Sequence, residues 1–370
     1  MSAPGRDAGL DALKGGTTLL VVLHHTAITY GAAGGWYWRE LAPDASWSSK
    51  LLVFFCTVNQ AWFMGLFFLL AGYFTPAALR AKGPRGFLRD RFVRLGLPLL
   101  VYGFVIGPAT IALARTARGE AFTDTLLRLW QQGRFEAGPL WFAWALLLFT
   151  LAAVAWFWRR GARAGPPRPW PPDTALLAAA LATGAVAFAL RLVWPVGISV
   201  SALQLGYFAG YALLFAFGCA AAGPRWLHDL PPARVQRWRR TALWALPVLP
   251  VLALLGARVP ALGGPAEGGW NVLAAVYAFW EPLVAWGVIG VLLARAQRPR
   301  PRPPWRAPLA RRAFAIYVIH PPVVVGVALA WRDVAAPALL KFAVTGVLAC
   351  AVCFALAGVL LRLPGVRRVL

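Results

Sequence analysis

Long apolar runs alternate along this chain with short polar segments rich in arginine, and ten such runs can be delimited at 14–33, 51–78, 95–114, 138–158, 174–194, 202–222, 241–257, 271–293, 313–330 and 338–361. At about 1.5 Å of helical rise per residue each run crosses roughly 30 Å of hydrocarbon, or nearly so with its flanking residues. The pattern predicts an all-α polytopic integral membrane protein of about ten transmembrane helices, forming a single transmembrane domain over residues 1–370. Two runs are irregular: the seventh is short and carries Pro247 and Pro250, and the ninth is expected to break at Pro321–Pro322. The first run has a weakly basic prefix but no clear small-residue cleavage site, so it is expected to persist as a helix.

Composition agrees: 60% of the 370 residues are hydrophobic and only 14% are charged. A net charge of +24 would point a soluble chain toward nucleic acid. Here the cations follow the topology instead. The segments 79–94, 159–173, 223–240, 294–312 and the tail after Leu361 hold 25 Lys and Arg, against eight in 34–50, 115–137, 195–201, 258–270 and 331–337. Positive-inside bias then places both termini in the cytoplasm and excludes a nucleic-acid partner. The Arg/Pro stretch 295–308 reads as a stiff cytoplasmic connector in contact with anionic headgroups.

Ionisable groups inside apolar runs are costly and mark candidate chemistry. In the first run, LDALKGGTTLLVVLHHT, Lys14 and His25 stand eleven positions apart. Eleven steps of about 100° return a helix to within about 20° of its starting face, so the two share one stripe, about 16 Å apart along the axis. His24 points elsewhere. Glu281, in YAFWEPLVAW, is the one acidic residue well inside a proposed run. At about 15 Å from the outer edge it reaches a depth close to that of His25. Beside His25 it would fix the ring's tautomer and raise its basicity, as a general base requires; the other reading has it protonated, or paired structurally with a helix-end arginine. His320 closes IYVIHPP, where the two following prolines leave helix carbonyls unpaired that a ring N–H could satisfy. That residue is either structural or pocket-lining. His228, in a basic loop, reads as ordinary surface.

The block from Phe67 to Pro98 runs from an apolar helix with a small-residue break at Ala71–Gly72 into a loop holding Arg80, Lys82, Arg85, Arg89, Arg91 and Arg94. Arg91 and Arg94, three apart before the next run, would project from one side of a helix. Guanidinium forks so placed suit a phosphate-rich ligand. No nucleophile elbow, Walker A loop, HExxH or dinucleotide fingerprint occurs. Cys350 and Cys353 form a CxxC within an apolar run, where they act as small hydrophobes, and no metal site is read.

Five motifs in order, D-x-L-K-x10-H from Asp11, FFLLAGYF at 67–74, R-x-x-R-L-x-x-P from Arg91, GPLWF at 138–142 and AIYVIHPP to Pro322, resemble the membrane-bound acyltransferase family 3, over residues 10 to 325. Members of that family are similar in moving an acyl group, usually acetyl from acetyl-CoA, onto hydroxyls of glycans, lipids or small natural products at the cytoplasmic membrane. The resemblance implies His25 as the essential histidine, with Lys14 where arginine is usual and Arg91 and Arg94 as the paired arginines. Lys14 supplies a point charge in place of a fork. Ala71 replaces the usual serine and removes a hydroxyl.

These readings converge on direct O-acyl transfer in a bacterial inner membrane, with His25 as base and Glu281 as its partner. Acyl-CoA would be a co-substrate and not a bound cofactor, its phosphates near Lys14, Arg91 and Arg94. Trp62, Tyr73, Trp141 and His320 would line the acceptor pocket. A proton-coupled transporter or flippase of a small molecule or lipid-linked glycan is the rival from another class, since it too places ionisable residues at the midplane. Direct binding of acyl-CoA separates the two.

Overall fold

The computed structural model describes residues 7–160, 169–298 and 304–370; part of the Arg/Pro connector 295–308 lies outside them. The longer helices among the described residues are α1 (Ala8–Thr29), α2 (Trp47–Arg91), α3 (Gly107–Thr116), α4 (Phe122–Gln131), α5 (Trp141–Arg160), α6 (Asp173–Val193), α7 (Phe208–Ala221), α8 (Pro232–Ala245), α9 (Val248–Gly256), α10 (Val272–Gln297), α11 (Arg306–Ala330) and α12 (Ala338–Leu360). No strand is named among the described residues. Among the described residues, seven helical stretches are long and apolar enough to cross a bilayer: Trp47–Thr116, Gly138–Arg159, Asp173–Val193, Pro232–Gly256, Val272–Gln297, Arg306–Ala330 and Ala338–Leu360. The protein is an all-α polytopic membrane protein.

Every apolar run of the sequence overlaps a helix, with instructive differences. The second and third runs belong to one 70-residue helical stretch, so the basic segment expected as a loop at 79–94 is largely helical. Its interruption is Gly83, at φ 67°, a conformation glycine enters without a Cβ penalty, followed by Pro84. Phe92–Gly96 and Tyr102–Ile106 are π-helical turns around Leu97–Val101. The seventh run divides into α8 and α9 at Pro247. Within the segment 115–137 lies α4, which hydropathy alone does not separate from loop. The ninth run corrects its expectation: α11 continues through Pro321 and Pro322.

By internal contacts the chain forms two compact units. The first comprises Met1–Asn59, Asp90–Leu147 and Arg300–Leu370. In it α1, α11 and α12 pack around Val22, Leu309, Ala315, Ile316, Val324, Ala349 and Cys353, all buried. Without a strong hydrophobic force between helices in lipid, close packing depends on small residues. Gly15 meets Leu309 at 3.0 Å from where its Cβ would stand, and Gly346 meets Leu23 at 2.7 Å. The polar residues of α1 are satisfied locally: Thr17, Thr18, Thr26 and Thr29 donate to the carbonyls of Leu13, Lys14, Val22 and His25 at 2.9–3.1 Å. Asp7 caps its start by accepting from the amides of Gly9 and Leu10. Lys341 of α12, buried among apolar neighbours, is neutralised by Glu40.

The second unit comprises Gln60–Arg89 and Leu148–Pro299. Here α10 packs on α6 and α8, and Trp170, Phe217, Trp226, Trp238 and Trp286 build an aromatic layer with ring centroids 4.9–6.0 Å apart. The small pair Ala71–Gly72 does not break α2. A Cβ on Gly72 would run into the Phe215 carbonyl of α7, and one on Gly218 into the Leu69 carbonyl of α2, so the two backbones touch through reciprocal glycines. Gly72→Leu or Gly218→Leu is therefore expected to cost about 1–3 kcal/mol or more by forcing these helices apart. A lowered melting temperature of the detergent-solubilised protein checks this; an unchanged melt for both variants would contradict it.

Candidate active site

α1 carries His25 near its C-terminal end and α11 carries His320, and the two rings meet inside the first unit. His320 Nε2 lies 3.0 Å from His25 Nδ1. The rings are close to parallel, 17° apart with centroids at 5.0 Å. His320 is fully buried at 0% exposure, whereas His25 keeps part of its surface open. On the other nitrogen of His320, Nδ1 lies 2.7 Å from the Tyr317 carbonyl one turn earlier. The reason is in the sequence. A regular helix would fill that carbonyl with the amide of residue 321, but Pro321 has no N–H to give.

The surroundings hold this pair in place. After α1 the chain turns back through residues 30–46 and lays Trp36 on His25, with centroids 4.0 Å apart and planes 11° apart. Trp36 also stacks on His320 at 5.9 Å and 12°. His24 meets His25 edge-on at 5.4 Å and is itself buried. The Tyr317 hydroxyl donates to the Pro139 carbonyl, tying α11 to the Gly138–Leu140 turn. Gly138, at φ 45°, sits against the hydroxyls of Tyr37 and Tyr102, which are 3.0 Å from each other. Burial, with Glu136 nearby, raises the Tyr37 phenol above its ordinary pKa, so it stays protonated. Two of the sequence motifs, GPLWF and AIYVIHPP, are thus joined by hydrogen bonding.

Glu281 does not supply the partner expected of it. Its carboxylate engages Arg191, in the last turn of α6, and the ring on His25 Nδ1 belongs to His320. Arg191 is fully buried, donates through Nε to the Gly206 carbonyl at 3.0 Å and lies against the Tyr277 and Tyr207 rings at 4.8 and 5.3 Å. The alternative weighed from sequence, a helix-end arginine, describes this pairing, which is an internal ion pair of the second unit.

Lys14 remains on the same helix as His25 and forms an ion pair with Asp11 at 3.3 Å. Arg91 and Arg94 do not behave as a matched pair. The π-turn from Phe92 widens the helix between them; Arg91 is half-buried, while Arg94 is 58% exposed and bridges Asp90 at 3.2 Å. Trp141, partly exposed, is edge-on to Phe142, whose ring in turn stands edge-on to Tyr317. Trp62 and Tyr73 are buried in the second unit. The Tyr73 hydroxyl meets His228 Nδ1 at 2.8 Å, so His228 is a packing partner and not ordinary surface. That unit also contains a cavity of about 540 Å³ lined by Lys82, Gly83, Pro84, Arg85, Leu151 and Trp158.

Sequence reasoning missed Trp36, Tyr317 and Pro139. The signal for Trp36 was weak: an aromatic pair after the glycines of GAAGGWYW, in a loop whose path periodicity does not describe. Tyr317 and Pro139 lay inside motifs already noted.

Compared with known proteins, the chain matches a family model described as an acyltransferase domain, the acyltransferase family 3 model, over residues 7–358. No curated protein and no solved structure matches it.

Proposed function

Because this chain belongs to acyltransferase family 3 and is a multi-pass membrane protein, we propose that it transfers an acyl group, acetyl in the first instance, from acyl-CoA to a hydroxyl of a glycan, lipid or natural-product acceptor, with His25 as general base. The observation that carries this reading is the His25 ring. Its Nδ1 is held by His320, the Val21 carbonyl one turn earlier also bonds the ring, and the side chain is not closed off. A partly open imidazole with one nitrogen anchored is suited to general-base proton abstraction.

In the reaction the acceptor O–H gives its proton to His25 as its oxygen attacks the thioester carbonyl. The C–S bond then breaks, and the leaving CoA thiolate recovers the proton from the imidazolium. No covalent enzyme intermediate is needed. Lys14, Arg91 and Arg94 are assigned to the CoA phosphates, where cations meet oxyanions. Trp141 and His320, in the same unit as His25, are assigned to the acceptor, and the cytoplasmic membrane of a bacterium, with both termini inside, is the proposed setting.

Acetyl-CoA is expected to raise the melting temperature of the protein in detergent, and Arg91→Ala or Lys14→Ala to raise KM for acetyl-CoA about tenfold while changing kcat little, as loss of one charge-assisted contact does. Titration with labelled acetyl-CoA and a panel of polyols and glycolipids tests this directly. Failure of acetyl-CoA and of longer acyl-CoAs to bind would sink the reading and favour a carrier.

A further inference from the structure

We infer that Pro321 and His320 are positioning residues that set the tautomer of His25, so that its proton sits on Nδ1 and Nε2 is the nitrogen that accepts the substrate's proton. This rests on the reading of His25 as the base. A backbone carbonyl accepts and never donates, so the 2.7 Å contact between His320 Nδ1 and the Tyr317 oxygen requires the proton on Nδ1. A neutral imidazole that donates through Nδ1 offers a lone pair at Nε2. His320 is neutral because it is fully buried and, among the described residues, no carboxylate contacts either ring. His25 Nδ1, 3.0 Å from that lone pair, must then carry its own proton and donate it. A single proton remains on His25, and its Nε2 is left with a lone pair.

The chain of cause begins at Pro321. With an ordinary residue at 321 the backbone N–H would compete for the Tyr317 carbonyl, as in any helix. His320 Nδ1 would be left with the Ile316 carbonyl, which already accepts within the helix, as its remaining directing acceptor, and the ring would more readily present N–H at Nε2. That N–H would donate to His25 Nδ1 and drive the His25 proton onto Nε2, removing the lone pair from the side facing substrate. The missing amide of one proline thus decides, through two rings, which nitrogen is basic. During transfer the same line strengthens in the same sense: as His25 Nε2 takes the acceptor's proton, the imidazolium that forms donates through Nδ1 to His320, whose far side rests on the Tyr317 carbonyl dipole. The proton returns from Nε2 to the departing CoA thiolate, which closes the balance. Trp36, stacked on both rings, holds the pair coplanar.

The test uses the full chain in lipid nanodiscs with ¹⁵N-labelled histidine. The protein has four histidines, and His25→Asn assigns the His25 signals. Wild type is expected to show His25 protonated at Nδ1 and unprotonated at Nε2. In His320→Ala the signal should move toward the Nε2–H form, and kcat should fall at least tenfold with KM for acetyl-CoA unchanged. His320→Gln, whose amide oxygen still accepts from Nδ1, should restore much of both. Pro321→Ala should shift the tautomer and lower kcat with a melting temperature at or above that of wild type, which separates the effect from misfolding. An Nε2–H tautomer in wild type overturns the inference, as does His320→Ala with unaltered kcat and spectrum. If the spectra behave as expected but no acyl transfer is found with any donor, the proposed function fails and the tautomer assignment stands.

Discussion

His25→Ala is expected to lower acyl transfer by about 10²–10⁴-fold while leaving the melting temperature within a few degrees of wild type. The magnitude is that of a positioned general base removed from a reaction whose substrates still bind. Stability should hold because His25 is only partly buried and its polar contacts are the ring–ring hydrogen bond and a bond to the Val21 backbone, each worth about 1 kcal/mol net. Initial rates with labelled acetyl-CoA at saturating acceptor, alongside a thermal melt, give both quantities. Equal rates in wild type and variant would refute the assignment even though the family is shown. His24→Ala serves as the control: its ring meets His25 edge-on and lies outside the two-histidine hydrogen bond, so a loss confined to His25→Ala distinguishes chemistry from the deletion of any imidazole at this depth.

The second large effect is on folding. Glu281→Ala would leave Arg191 at 0% exposure with its carboxylate partner gone. Stranding a buried charge in this way costs about 3–5 kcal/mol, most of it the unrelieved desolvation of the remaining ion. Much of the variant should aggregate or fail to extract as a monodisperse species. Removing both charges together, Arg191→Met with Glu281→Leu, should recover a large part of the loss, because a well-packed apolar pair carries no desolvation cost. Size-exclusion profiles and melting temperatures of the two single variants and the double variant measure this. If the double variant is stable and retains kcat, Glu281 is a structural residue. If it is stable and inactive with KM unchanged, Glu281 acts in the chemistry and the reading of the pair as structural is wrong.

His25 and Glu281 mark the limits of what a linear pattern conveys about this site. Periodicity aligned Lys14 with His25 on one helix and placed Glu281 inside another, and these residues do lie in helices α1 and α10. Depth along a helix axis does not give azimuth, however, and the partner of a buried carboxylate is decided by which neighbouring helix faces it. For Glu281 that helix is α6. The prolines after His320 show the opposite case. Their effect on the Tyr317 carbonyl is covalent and local, so the freed acceptor was legible beforehand, although the expected break was not: α11 stays helical because packing from α1 and α12 confines it and the ring of His320 fills the vacated acceptor. Likewise Arg80 to Arg91 read as loop because they are cationic and follow Gly72, whereas the structure spends Gly72 on contact with α7 and turns the chain at Gly83.

The sequence by itself determined that this is an all-helical polytopic membrane protein of the acyltransferase family, and that His25, Glu281 and His320 lie within its apolar runs. Hydropathy, helical rise and motif order are properties of contiguous residues and survive without knowledge of packing. Only the tertiary structure decided that His25 is paired with His320 beneath Trp36, that Glu281 belongs to Arg191, and that a π-turn separates the environments of Arg91 and Arg94. Those outcomes depend on how helices distant in the chain are rotated against one another, and a hydrogen bond near 3 Å turns on angstroms that no spacing along one helix contains.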